Sequence, residues 1–346
     1  MIASATAGRS TSITSRDVEL RDRLTAWLGR QYGAVVTIED LARVPGGASR
    51  ETWAFTARLP GGSERLVLRR DPPGHVIQSS RRDEFALLEI AARAGVPVPR
   101  VRWCEDDAGV LGSAGFVMDF VDGETLARRL LRDAPYAPAR AALPEQLARA
   151  LARIHAVDVG ALTFLEAPAP DVAPAAAELA RYEDIYRAIT PDPHPALELA
   201  FRWLGARIPQ PRRRSVVHGD FRIGNIIFGP EGLRAVIDWE LSHLGDPMED
   251  VGWLCVRAWR FGADDNPVGG LCERARFFAA YEQAGGDPID PDVARWWETF
   301  GNLRWAVMCI MHARTHLEGA VRSVELAAIG RRVCEQEIEL LDLMEA

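Results

Sequence analysis

Apolar residues recur at helical spacing over residues 17–32, where Leu20, Leu24, Trp27 and Leu28 share one stripe, and this predicts an amphipathic helix. The pattern then changes to extended runs. Residues 41–59 break at Pro45-Gly46-Gly47-Ala48 and resume as Thr52-Trp53-Ala54-Phe55-Thr56-Ala57, which reads as two strands about a glycine turn. Pro60-Gly61-Gly62 is a second turn, followed by a strand at Arg65-Leu66-Val67-Leu68-Arg69. A loop bearing proline and glycine covers residues 71–80. Residues 81–94 return to helical spacing, with Phe85, Leu88 and Ala92 expected on the inward stripe. Two more strands are read at 98–104 and 115–120.

Short strands with a helix among them describe a small α+β region. Val121-Asp122-Gly123 reads as a hinge. Beyond it the spacing is mostly helical. Helices are expected at 143–157, 250–259, 271–284, 293–317 and 324–344, with an Ala/Pro-rich connection carrying one short helix over 164–195. The expected organisation is a loose tail over 1–16, a first lobe over 17–120 and a larger helical lobe over 121–346. No internal repeat is visible.

Composition narrows the function classes. The net charge of −8 and the sequence pI near 5.5 argue against a nucleic-acid partner. The chain contains no lysine, so all 41 basic residues are arginine. Any cation that chemistry needs must be an arginine, a histidine or a metal. Cys104, Cys255, Cys272, Cys309 and Cys334 lack metal-site spacing and suit buried, inert thiols in a reducing compartment. Residues 1–15 lack the apolar core of a signal peptide, and no apolar run reaches the length of a membrane span. A cytoplasmic protein with no membrane partner is the expectation.

The segment from Val217 to Asn225, His218-Gly219-Asp220 above all, carries the chemistry. Asp220 opens a loop and Asn225 closes it. Asp238 ends the next apolar run, in Ile237-Asp238-Trp239. Phosphoryl transfer needs an aligned hydroxyl, metals bridging the phosphates and little covalent help. Asp220 can accept the hydroxyl proton or orient the hydroxyl. Asn225 can hold Mg2+ through its carbonyl oxygen and Asp238 through its carboxylate, since oxygen donors suit this hard ion. Gly224 reads as permitting a tight loop, and His218 as bracing it.

These residues resemble those of the aminoglycoside phosphotransferase/choline kinase-like family, which has a protein-kinase-like bilobal fold. His218-Gly219-Asp220 with Asn225 is similar to its catalytic loop, Ile237-Asp238-Trp239 to its metal-binding segment, and residues 245–250 to the segment after that. The resemblance runs over roughly residues 40–345. Arg69-Arg70-Asp71-Pro72-Pro73-Gly74 and the run from Arg322 to Arg332 are most similar to the branch of kinase-like domains fused to acyl-CoA dehydrogenases.

The resemblance implies an ATP-dependent small-molecule kinase that uses ATP and Mg2+ and acts on a small-molecule hydroxyl acceptor. It makes Gly46 and Gly47 the phosphate-covering loop and Glu84 the helix partner of a phosphate-binding cation. Met118-Asp119-Phe120 becomes the linker whose backbone meets adenine. Arg69 stands where most members have lysine, with Arg70 the competing choice because neighbouring strand residues face opposite sides. Arginine is a planar fork rather than a point charge, but it still holds phosphate oxygens and pairs with a carboxylate.

Blander readings exist for several residues. Asp246 and Asp250 suit a helix start, with Asp250 also bracing the catalytic loop. Glu240 is read either as approaching the metal-binding residues or as exposed. Trp296, Trp297 and Trp305 read as core, and His312 and His316 lack a third zinc ligand. Arg212-Arg213-Arg214 reads as a solvated charge run. The alternative function is a nucleotide-binding pseudokinase acting as a regulatory or interaction module, which the arginine at 69 favours.

Overall fold

The computed structural model describes residues 15–44, 50–72, 80–190 and 192–345. Gly46 and Gly47 lie outside the described residues, as do Pro73, Gly74 and most of the expected tail. The chain divides into two compact units. The first comprises residues up to Ala139 together with Asn225–Glu240, and the second comprises Arg140–Gly224 and Leu241 onward. The Val121–Gly123 segment belongs to the first unit.

The first unit opens with α1 (Ser15–Tyr32), then β1 (Thr37–Arg43), β2 (Glu51–Leu59), β3 (Gly62–Arg70), α2 (Arg81–Arg93), β4 (Val101–Glu105), α3 (Ala108–Leu111), β5 (Gly115–Asp119) and α4 (Ala127–Arg132). Among the described residues five strands form one antiparallel sheet in the order β1-β2-β3-β5-β4. Alternation along the strands sorts side chains between its faces. Leu66 and Leu68 of β3 join Trp53, Phe55 and Val117 in a core sealed by Leu20, Leu24, Trp27 and Leu28 of α1. Those are the four residues whose spacing predicts the helix. On the other face α2 brings Phe85 edge-on to Phe116 of β5. The inward residues of α2 are Arg81, Glu84, Leu87, Leu88 and Ala91, whereas Ala92 is exposed. The helix is turned from its expected apolar stripe because two charged residues face inward.

The second unit contains α5 (Ala137–His155, from Arg140 onward), α6 (Pro174–Ile189), α7 (Pro195–Gly205) and β6 (Ser215–Val217). The chain then returns to the first unit as the hairpin β7 (Ile226–Gly229) and β8 (Gly232–Val236). It continues in the second with β9 (His243–Gly245), α8 (Met248–Cys255), α9 (Arg274–Gln283), α10 (Pro291–Leu317), α11 (Val324–Gly330) and α12 (Val333–Glu345). α10 is buried on nearly every side from Ala294 to Cys309 and packs with α6, α7, α8, α11 and α12. Trp296, Trp297 and Trp305 are core residues, as expected.

Several elements differ from the sequence reading. The 164–195 connection holds the sixteen-residue α6, whose Ala175, Leu179, Tyr182 and Tyr186 are buried. Pro174 at its start is compatible with a first turn, which has no need of that N–H. α7 was not expected, although Leu197, Ala200, Phe201 and Leu204 have helical spacing and are buried. α5 begins at Ala137 and runs through Pro144, because Ala139 and Leu143 are fully buried around the proline. The last predicted helix is two, α11 and α12. Gly330 ends α11 where an added Cβ would meet Ala313 of α10 at 2.5 Å. Cys255, Cys272 and Cys309 are buried and unpaired, and burial raises the Cys272 thiol to about 11 and that of Cys309 to about 12.

Candidate active site

In the first unit the hairpin β7–β8 brings Asn225 and Asp238 to one end. Ile226 pairs with Val236, and Ile237 N–H donates to the Asn225 carbonyl at 3.0 Å. Residues thirteen positions apart therefore leave the same end of a two-stranded ladder. The hairpin is tied into its unit by Val236 N–H to the Pro97 carbonyl at 2.7 Å and by two bonds between Glu124 and Phe228. Gly123 is required there, because a Cβ would meet Ile227 at 2.5 Å and the Phe228 carbonyl at 2.8 Å. Asp238 has φ of 70°, a left-handed conformation that costs a non-glycine residue free energy. Its Oδ1 accepts from Arg69 Nη2 at 3.1 Å.

Around Arg69 is a dense ion cluster. Arg69 lies on the α2 face of β3, and its Nε is 3.3 Å from Glu84 Oε1. Arg70 faces the other way and binds Glu51 and the Leu111 carbonyl. The pairing with Glu84 is therefore made by Arg69. Glu84 also contacts Arg50, 2.7 Å from its Oε2, and Arg81, which reaches Asp71 as well at 3.1 Å. Glu240 Oε2 is 3.2 Å from Arg50 Nε and 3.7 Å from Arg69 Nη2. Burial, with the neighbouring Asp238, raises the Glu240 carboxyl above its ordinary range. Arg50 and Arg81 were missed by the sequence reading. For Arg50 the available signal was an arginine directly ahead of β2; for Arg81, its place one turn before Glu84.

In the second unit the segment after β6 carries Asp220. Gly219 has φ of 80°, and a Cβ there would lie 2.4 Å from the Leu241 carbonyl oxygen, so only glycine fits. Gly224 has no such φ; its Cβ would instead run into the Arg222 guanidinium. The conformational demand read at Gly224 belongs to Gly219. The fully buried Asp250 accepts from His218 N–H at 2.7 Å, from Gly219 N–H at 2.9 Å and lies 3.2 Å from His155 Nε2. Despite burial, these contacts hold its carboxyl below the usual range. His218 Nδ1 in turn accepts from Asp220 N–H at 3.2 Å, a bracing role. Arg304, buried on α10, donates to the Gly219 carbonyl at 2.9 Å and pairs with Glu249 at 3.0 Å.

The Asp220 carboxylate is oriented by two donors. Trp253 Nε1 and Arg222 Nε reach Oδ1 at 2.7 and 2.9 Å. Arg222 stacks over Trp259, which packs with Trp253 and Trp305. Neither Arg222 nor Trp253 was singled out from sequence, because nothing in their spacing shows that α8 points an indole at the loop.

Among the other expected residues, Asp246 caps the start of α8 through Met248 N–H and accepts from Trp297 Nε1. Met118 is buried in β5, while the N–H groups of Asp119 and Phe120 donate to the carbonyls of Arg100 and Arg65. Arg213 and Arg214 are not a solvated run: Arg213 pairs with Asp287, and Arg214 donates to the carbonyls of Pro168, Ala169, Pro170 and Val172. They staple the irregular chain ahead of α6. Among the described residues no group of three or more His, Cys, Asp or Glu could hold a metal, and no helix is long and apolar enough to cross a membrane.

Comparison with known proteins bears on this arrangement. Residues 40–297 match the family described as the phosphotransferase enzyme family. Mouse acyl-CoA dehydrogenase family member 10 is 34% identical over 201 residues, which is 56% of this chain and 18% of that protein. The chain thus spans less than a fifth of that relative. A crystal structure from Ralstonia eutropha, of a candidate aminoglycoside phosphotransferase, superposes with a TM-score of 0.76 at 26% identity, covering 94% of this chain and 98% of the other. Aminoglycoside phosphotransferase APH(4)-Ia, in complex with ADP and hygromycin B, superposes with a TM-score of 0.60 at 17% identity, covering 93% and 98%. The architecture is the α+β, protein-kinase-like fold of these proteins.

Proposed function

The chain belongs to the phosphotransferase enzyme family, and we propose that it transfers the γ-phosphoryl group of ATP to a hydroxyl of a small molecule. The observation that carries this reading is the paired placement of Asn225 and Asp238 at one hairpin end, with Arg69 bonded to Asp238.

Roles follow from the chemistry of each group. Asp220, with Oδ1 fixed by Trp253 and Arg222, accepts the acceptor's hydroxyl proton as the oxygen attacks the γ-phosphorus; the bond to the bridging oxygen breaks and ADP leaves. Asn225 and Asp238 offer the hard oxygen donors that Mg2+ takes. Bound there, Mg2+ would offset phosphate charge. Arg69 would meet the phosphates, held by Glu84 as family lysines are. Gly46 and Gly47 would cover them. The Met118–Phe120 linker would meet adenine through groups other than the committed N–H donors of Asp119 and Phe120.

An acceptor other than a polycationic antibiotic fits best. Glu178 and Glu183 on α6 are already paired with Arg181 and Arg187, so this helix offers no evident trap for an aminoglycoside. The test is ADP release from Mg·ATP across aminoglycosides, amino alcohols, sugars and hydroxyacyl-CoAs, with Asp220→Asn run in parallel. Acceptor-dependent release, lowered at least about a hundredfold in the variant, is expected. Wild-type turnover by the variant would remove Asp220 from the mechanism. Nucleotide binding without turnover on any acceptor would favour the regulatory module that arginine at position 69 allows.

A further inference from the structure

The sequence reading assigned one phosphate-binding cation, yet two guanidiniums converge on Glu240. Arg50 Nε is 3.2 Å and Arg69 Nη2 is 3.7 Å from Oε2 of that carboxylate. Both arginines are anchored from behind by Glu84, which gives Oε1 to Arg69 and Oε2 to Arg50 and Arg81. Glu84 is almost fully buried, with 3% of its side chain exposed, whereas Glu240 is 23% exposed. Glu84 is thus the fixed anchor and Glu240 the exchangeable partner. A chain without lysine must answer the charge of a triphosphate with arginine, and paired guanidinium forks bind phosphate oxygens in the geometry by which they bind a carboxylate.

We propose that Arg50 is a second phosphate-binding residue, acting with Arg69 on the nucleotide, and that Glu240 occupies the phosphate's place on this arginine pair until the nucleotide displaces it. The inference rests on the nucleotide-binding reading above. It differs from a structural role for Arg50 in one respect. A structural residue affects every ligand alike, whereas a phosphate ligand discriminates by phosphate number.

The test is calorimetric binding of ATP, ADP, AMP and adenosine to the full chain, without acceptor and with and without Mg2+. Arg50→Gln is expected to weaken ATP by roughly ten- to a hundredfold, the scale of a charge-assisted hydrogen bond, ADP less so, and to leave adenosine unchanged. Arg50→Lys should recover part of the ATP affinity. Glu240→Gln, which removes the competing charge, should tighten ATP in the absence of Mg2+ and leave adenosine unchanged. Equal weakening of all four ligands in Arg50→Gln, or no change in any, overturns the proposal while ATP binding by the wild type stands. Should Arg50→Gln fail to fold, Glu240→Gln decides, and unchanged or weaker ATP binding without Mg2+ overturns it. A wild type that binds no ATP overturns both this inference and the nucleotide reading.

Discussion

The ion cluster of the first unit and the Asp220 segment of the second solve opposite problems. Around Glu84, side chains bind side chains, and the central carboxylate is shared by Arg50, Arg69 and Arg81. In the Asp220 segment, side chains hold the chain path through its backbone: Asp250 takes two N–H groups and Arg304 takes a carbonyl. The first arrangement is redundant and its outer partners can exchange. The second has one acceptor for two buried donors and fixes a chain path that only glycine at 219 can follow. The contrast teaches that buried charge has two uses here, holding ligands for later replacement and holding backbone for good.

The largest effect is expected at the second arrangement. Asp250→Ala leaves two buried N–H groups and His155 without their acceptor and should cost about 3–5 kcal/mol in denaturant unfolding. A loss under about 1 kcal/mol would show that the loop is held by other means.

The next test is pH. His243 Nδ1 lies 3.0 Å from the Leu241 carbonyl and Nε2 lies 3.1 Å from Glu249, and both contacts suit the doubly protonated ring. Burial alone would lower its pKa, but Glu249 and Glu178 outweigh burial and raise it from 6.5 to about 9. The folded value exceeds the unfolded one, so the stabilisation is complete below about 6.5 and disappears as pH rises through about 9. It is worth roughly 3 kcal/mol. Melting temperatures from pH 6 to 10 should fall across that window, and His243→Gln should flatten the decline. An unchanged decline would assign it to other groups.

The smallest effect is expected at the redundant cluster. Arg69→Gln leaves Glu84 with Arg50 and Arg81 and should cost only about 1 kcal/mol of stability. Destabilisation equal to that of Asp250→Ala would erase the distinction between the two arrangements.

Much of this was legible in advance. The stripe Leu20, Leu24, Trp27, Leu28 names both a helix and the face it buries, because period and burial coincide. The order Asp220, Asn225, Asp238 names the candidate chemistry, with Asp238 legible as the end of an apolar run, whereas the hairpin that joins the last two emerges only in the fold. Legibility failed where polar residues faced inward. α2 turns Arg81 and Glu84 to its inner face, which a count of apolar positions cannot register. α6 runs longer than the one short helix expected in the Ala/Pro-rich connection, and α7 was not expected; the packing of their buried faces decided both.

By itself the sequence determined the element types with strong periodicity, the absence of lysine and the residues able to accept a proton or offer oxygen to a metal. Those depend on local pattern and on side-chain chemistry. Only the tertiary structure decided that Arg69 rather than Arg70 meets Glu84, that Arg50 and Arg81 join it, and that Trp253 and Arg222 orient Asp220. Apart from the short-range pairs Arg81–Glu84 and Arg222–Asp220, these are contacts between residues distant in sequence or choices of strand face. They arise from which surfaces pack together, and no local pattern encodes that.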